Sequence, residues 1–145
     1  MEKKFKKLAD LFPITLDEFK GFVGRLGEFY HEDAVFQDPL VRVEGLEAMK
    51  SYFERSMIRP LRSLEFELDQ LAEEKDLLMI KWTMRIRTKV IPASLSLEGV
   101  SVIRYEGERI ISHRDFWDRA DLLEGLPGAG RALKKLKAFA AGILA

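Results

Sequence analysis

The feature that most constrains this chain is a change of period at Pro60. Before it, apolar residues recur at helical spacing: Leu8, Leu11 and Phe12, then Phe19, Phe22, Val23, Leu26, Phe29 and Tyr30 beyond Pro13, then Leu46, Met49, Tyr52 and Phe53. Three N-terminal helices are expected. The second starts at Thr15, an N-cap residue with Glu18 three positions later, and the third runs from Gly45 to about Arg59-Pro60. After Pro60 the period becomes two. Leu64, Phe66 and Leu68 alternate with Glu65, Glu67 and Asp69, and Ile80, Trp82, Met84 and Ile86 alternate with Lys81, Thr83, Arg85 and Arg87. With strands from about Leu95 to Tyr105 and from Arg109 to Trp117, four strands joined by three hairpins form an antiparallel meander. Helical spacing returns at Leu133, Leu136, Phe139 and Ile143, so the chain ends in a helix. Helices followed by one long antiparallel sheet is an α+β plan, and a twisted sheet wrapped over helices makes an apolar pocket.

Composition narrows the partners. A chain of 145 residues is expected to be a single domain over 1–145. Lys plus Arg and Asp plus Glu number 24 each, so no net field draws nucleic acid or anionic lipid, and neither is expected as a partner. With no cysteine, thiol nucleophiles and thiolate metal sites are excluded. The N-terminal MEKKFKKLADLFP is charged and amphipathic rather than signal-like, which gives a cytoplasmic expectation.

The segments YHEDAVFQDP, VEGLEAMKSYFERS, GVSVIRYEGERI and HRDFWD occur in that order between Phe29 and Asp118. In them the chain resembles the nuclear transport factor 2 superfamily, in the branch of ketosteroid isomerases and SnoaL-type polyketide cyclases. The resemblance implies a cone-shaped fold, a curved antiparallel sheet wrapped around N-terminal helices, with an apolar pocket inside. It matches Asp38 to the aspartate that shuttles a proton between carbons in ketosteroid isomerases, where a Tyr and a protonated Asp form the oxyanion hole. Here the third-strand acid position holds Ser101, and Tyr30 lies too close to Asp38 to match the tyrosine. Steroid isomerisation proper is therefore not expected.

Each candidate has an ordinary alternative. Asp before Pro initiates turns, so Asp38 reads as a turn residue on local grounds and as the general base by resemblance. On the last strand Ile111, His113, Asp115 and Trp117 share one face, which the resemblance turns toward the pocket. Asp115 is then the proton donor or second acid, and His113 either a proton carrier or the residue that tunes Asp115. Two carboxylates in one apolar pocket do not both ionise cheaply, which suits a pair that donates and accepts protons at once. Phe36, Tyr52, Trp82, Met84, Ile86, Ser101 and Trp117 are expected to shape a substrate pocket, with Arg85 and Arg87 on the opposite face. His31 reads as surface at a helix end, and no spacing supplies a metal site. Asp118 reads as a cap of the following segment. The basic C-terminal helix reads as a lid over the pocket mouth or a packing element, with a membrane-surface role as the alternative.

The sequence therefore supports a cofactor-independent enzyme of the ketosteroid isomerase or SnoaL-like cyclase type, using carboxylate acid-base chemistry on a small apolar carbonyl-bearing substrate. The competing reading is a non-catalytic protein that binds a small hydrophobic ligand. A homodimer through the outer sheet face accompanies either reading.

Overall fold

The computed structural model describes residues 8–144 except 91, 93 and 127, so most of the first expected helix lies outside the described residues. A short strand β1 (Ile14–Thr15) leads into α1 (Leu16–Gly24). Thr15 caps this helix as its spacing requires: its Oγ1 accepts from the Glu18 backbone N–H and its hydroxyl donates to Glu18 Oε1 at 3.0 Å. Phe19, Phe22 and Val23 are its buried stripe.

The helix expected to continue to Tyr30 does not. It stops at Gly24, a single turn α2 (Leu26–Phe29) follows, and the chain then extends as β2 (Tyr30–Gln37). Gly24 and Gly27 weaken the helix at this point, while Ala34 and Phe36 bury well in an extended chain. After β3 (Arg42–Glu44), Gly45 at φ 86 turns the backbone into α3 (Leu46–Phe53), a conformation that favours glycine. A π-helical segment, Glu54–Ile58, extends α3 and carries it to Pro60.

The four expected strands are β4 (Leu61–Glu74), β5 (Leu77–Thr88), β6 (Ser94–Glu106) and β7 (Arg109–Trp117), a meander of antiparallel pairs. Among the described residues they belong to a seven-stranded sheet of order β1-β4-β5-β6-β7-β2-β3, curved and unclosed. The sheet is not wholly antiparallel, because β2 lies parallel to β7. The apolar face of the meander packs with α1 and α3 in a single core that includes Leu64, Leu78, Ile80, Leu97 and Ile103.

Strand parity also needs one correction. A bulge on β7 pairs Ile110 with Tyr105 and Ser112 with Arg104, leaving Ile111 as the extra residue. Ile110 therefore takes the core position expected of Ile111 and is fully buried. Beyond the bulge His113, Asp115 and Trp117 resume the inner face. Arg85 is on the outer face, where it pairs with Glu65 and Glu67.

The tail forms α4 (Arg119–Glu124), capped by Asp118 through a 2.8 Å bond from the Ala120 N–H, and then α5 (Ala129–Leu144). Lys137 ties α5 to α4 through Glu124 at 2.9 Å. Leu136 and Phe139 of α5 are 61% and 67% exposed. The terminal helix thus packs on α4, and it is α4 that brings a side chain, Leu122, to the pocket. No helix among the described residues is long and apolar enough to cross a membrane.

Candidate functional site

The parallel pairing of β2 with β7 creates the site. Phe36 pairs with His113 and Gln37 with Arg114, so Asp38 leaves the end of β2 level with Asp115 on β7. Both carboxylates line one cavity of about 130 Å³, together with Phe36, Tyr52, Trp82, Met84, Ile86 and Trp117. A second cavity of about 80 Å³ lies among core side chains and is lined by Tyr30, Ser101, Ile103 and His113. Phe36, Met57, Phe66, Trp82 and Asp115 are common walls of the two.

Asp38 has two roles at once. Its Oδ1 accepts from the backbone N–H groups of Leu40 at 2.8 Å and Val41 at 3.0 Å, which is the turn geometry expected of Asp before Pro. Its Oδ2 accepts from the Tyr52 hydroxyl. The turn orients the carboxylate and α3 delivers the phenol, since the Gly45 N–H bonds to Ala34 O at 2.8 Å and locks α3 against β2. Burial, then the hydrogen bond to Asp38 and its charge, push the Tyr52 phenol above its ordinary value, so its hydroxyl stays protonated as a donor.

Asp115 is served by two arms. Trp82 Nε1 donates to Ser101 Oγ at 2.9 Å, and Ser101 donates to Asp115 Oδ1 at 2.5 Å. On the other side His113 Nε2 sits 2.7 Å from the same Oδ1, and the Tyr30 hydroxyl sits 2.7 Å from His113 Nδ1. Buried Tyr30 has its phenol held well above the ordinary value, by burial first and then by the charge of Asp115. Its proton needs an acceptor, and Nδ1 is the partner on hand, which leaves Nε2 to donate toward Asp115. Each arm then ends by donating to Oδ1. Among the described residues Oδ2 of Asp115 accepts no hydrogen bond, which leaves that oxygen turned to the cavity space.

Glycine makes room for this arrangement at one place. Gly99 pairs with Trp82 across β5 and β6, and a Cβ there would lie 2.4 Å from the indole ring. The bare backbone lets the indole cross β6 and reach Ser101.

In the sequence Tyr30 reads as a helical residue too close to Asp38 to match the oxyanion tyrosine of ketosteroid isomerases. As the first residue of β2 it reaches His113 instead. The irregular pairing between Tyr30 and Val35 broke the alternation that would have marked the strand. His31 likewise lies on β2 rather than at a helix end. The described residues hold no group of three or more His, Asp or Glu side chains arranged for a metal.

A profile of the SnoaL-like domain matches residues 19–113. No curated protein sequence matches the chain significantly. Among solved structures, a hypothetical protein with a ketosteroid isomerase-like fold from Catenulispora acidiphila, in complex with trimethylamine, superposes with a TM-score of 0.71 at 16% identity, over 88% of this chain and 95% of that one. An LEH-like epoxide hydrolase from M. tuberculosis gives 0.68 at 17% identity, over 90% and 94%. A protein proposed to be a SnoaL-like polyketide cyclase, from Shewanella putrefaciens, gives 0.70 at 16% identity, over 86% and 96%. At such identities the superpositions establish a shared fold and leave the chemistry to the residues.

Proposed function

The chain belongs to the SnoaL-like domain family, and on that premise we propose that it is a cofactor-independent enzyme of the isomerase or cyclase type, moving protons on a small apolar substrate that carries a carbonyl group. The observation that supports this most is the placement of Asp38 and Asp115 on one apolar cavity, each with its outer hydrogen bonds already satisfied. Asp38 acts as the general base. It takes a proton from the carbon next to the carbonyl, whose electron pair moves toward oxygen to give an enolate. Asp115, protonated on Oδ2, donates a hydrogen bond that stabilises the enolate oxygen, and Asp38 then returns the proton it took to another carbon of the enolate, which completes the isomerisation and leaves both carboxyl groups as they began. His113 is a positioning residue that holds Oδ1 of Asp115, and the aromatic walls exclude water and orient the substrate.

The missing oxyanion Asp of ketosteroid isomerases is thereby replaced. Ser101 occupies its strand position but donates to Asp115, so the acid sits one strand further on. A homodimer through the outer sheet face, where Arg85 lies between Glu65 and Glu67, and a cytoplasmic location are parts of the same proposal. Sedimentation of the purified protein checks the dimer.

The direct test is hydrogen exchange in deuterated water, followed by nuclear magnetic resonance on a panel of cyclic ketones and enones. The wild-type protein accelerates exchange of the proton next to the carbonyl for at least one of them, and Asp38→Asn lowers that rate by about 10²-fold or more. No acceleration across the panel would leave a ligand-binding protein and overturn the enzyme reading.

A further inference from the structure

The charge of the chain balances overall but not along its length. From Gly125 to the C-terminus it carries four cations, Arg131, Lys134, Lys135 and Lys137, and no Asp or Glu. Lys137 is answered by α4, through Glu124 at 2.9 Å and Asp121 at 3.9 Å. Arg131, Lys134 and Lys135 are exposed and make no ion pair among the described residues. The absence of a net field over the whole protein therefore does not extend to α5.

The apolar side of α5 is turned outward as well. Gly130 and Lys137 mark the side that meets α4: a Cβ at Gly130 would lie 2.3 Å from the Glu124 carbonyl oxygen, and Lys137 reaches the Glu124 carboxylate. At about 100° per residue, Leu136 and Phe139 are turned about 100° and 160° away from Lys137. α4 does not cover them, and both are exposed. Lys135 borders this apolar strip, and Arg131 and Lys134 continue the polar side. A 16-residue helix of this kind, not long and apolar enough to cross a bilayer, is suited to lie in its interface, with Leu and Phe among the acyl chains and the cations at anionic head groups.

The neighbouring end of the sheet has the same character. A Cβ at Gly125 would lie 1.9 Å from the side chain of Leu95, so the end of α4 rests where β5 passes into β6. There Arg62, Arg87 and Lys89 line a surface depression together with Val90 and without an acidic residue, and Val90 is 86% exposed. Arg87 Nε donates to Ser94 Oγ at 3.2 Å, a neutral partner that leaves its charge unanswered. Ile86, the partner of Leu95, and Leu61, the partner of Thr88, line the cavity of Asp38 and Asp115, so apolar solutes held in lipid at this end would meet it. A second copy of the chain would bring α5 the same cations, whereas an anionic lipid surface answers both the charge and the apolar strip. We infer that α5, with the basic end of the sheet beside it, is a peripheral docking surface for an anionic lipid bilayer. The inference goes beyond the proposed function and does not depend on it.

The full chain is mixed with vesicles of phosphatidylcholine alone and of phosphatidylcholine with phosphatidylglycerol, and the bound fraction is read by sedimentation. Binding to the anionic vesicles is expected to be at least about tenfold tighter than to the neutral ones and to weaken as salt is raised. Leu136→Ala with Phe139→Ala keeps good helix formers and every charge, and is expected to lower affinity for the anionic vesicles about tenfold. Lys134→Gln with Lys135→Gln is expected to cut the preference for anionic lipid about tenfold, and Arg62→Gln with Lys89→Gln to cut it about threefold or more. Unchanged circular dichroism shows that the variants are folded. No binding to the anionic vesicles, equal binding to both kinds, or affinity unchanged by the α5 substitutions overturns the inference. Unchanged affinity in the Arg62 and Lys89 variant overturns the part given to the sheet. Failure of the wild-type chain to bind vesicles, with Leu136→Ala and Phe139→Ala dissociating an oligomer in their absence, would overturn it in favour of a contact between copies.

Discussion

Tyr30 and His113 lie 83 positions apart and meet with their rings parallel to within 4° and the phenol oxygen 2.7 Å from Nδ1. That contact fixes which imidazole nitrogen carries the proton, and through it how Asp115 is held. Tyr30→Phe keeps the ring and removes the hydroxyl. Two-dimensional nitrogen spectra of His113 are expected to change from a single Nε2–H tautomer to a mixture, and the exchange rate to fall about tenfold. Stability is expected to drop by about 1–3 kcal/mol for the buried acceptor left without a donor. A fall in stability with the tautomer unchanged would make Tyr30 a packing residue only.

Asp38 separates turn from chemistry because its two oxygens have different partners. Asp38→Asn keeps an oxygen for the Leu40 and Val41 N–H groups, so the turn survives and denaturation changes by less than about 1.5 kcal/mol, while exchange is lost. Asp38→Ala removes both and is expected to unfold at lower denaturant than the Asn variant. Equal stability of the two variants would mean that the carboxylate does not hold the turn.

Gly99 sets the position of Trp82. Gly99→Val places a side chain where the indole lies and pushes it off Ser101, with about 1–3 kcal/mol lost to overpacking. The displaced indole gains water, so fluorescence is expected to shift to the red with far-ultraviolet dichroism unchanged. An unshifted spectrum would contradict the close approach.

The three tyrosines should all resist ionisation. Burial pushes the Tyr105 phenol up to about 12, and Tyr30 and Tyr52 are also raised from the ordinary 10.0. A raised phenol contributes stability that is fully present below pH 10 and is lost as the pH climbs through the folded values. Tyrosinate absorbance is therefore expected to stay flat through pH 10 and then to rise together with loss of structure. A phenol titrating at its ordinary value in the folded protein would place it in water.

Much of this was legible in the sequence, and the exceptions have physical causes. The meander from β4 to β7 was readable because each strand has one wet face and one dry face, which imprints alternation directly. The second helix reads as longer than it is because Leu26, Phe29 and Tyr30 suit a helix as well as they suit a turn followed by a strand. Only long-range pairing with β7 decides in favour of extension at Tyr30. Strand parity alone misplaces Ile111, because a bulge leaves no mark in composition. Strand parity carried Asp115, His113, Trp82, Met84, Ile86 and Trp117 to the cavity side, whereas their donor wiring depends on register between strands, which local sequence does not encode.

The central claim is that Asp38 and Asp115 work on one substrate in one cavity. A double-mutant cycle of exchange rates with Asp38→Asn, Asp115→Asn and the pair tests it most directly. If the two carboxylates act as a unit, each single substitution removes nearly all of the exchange and the double variant is no slower than the worse single. Independent losses that multiply in the double variant, or full activity in Asp115→Asn, would contradict it.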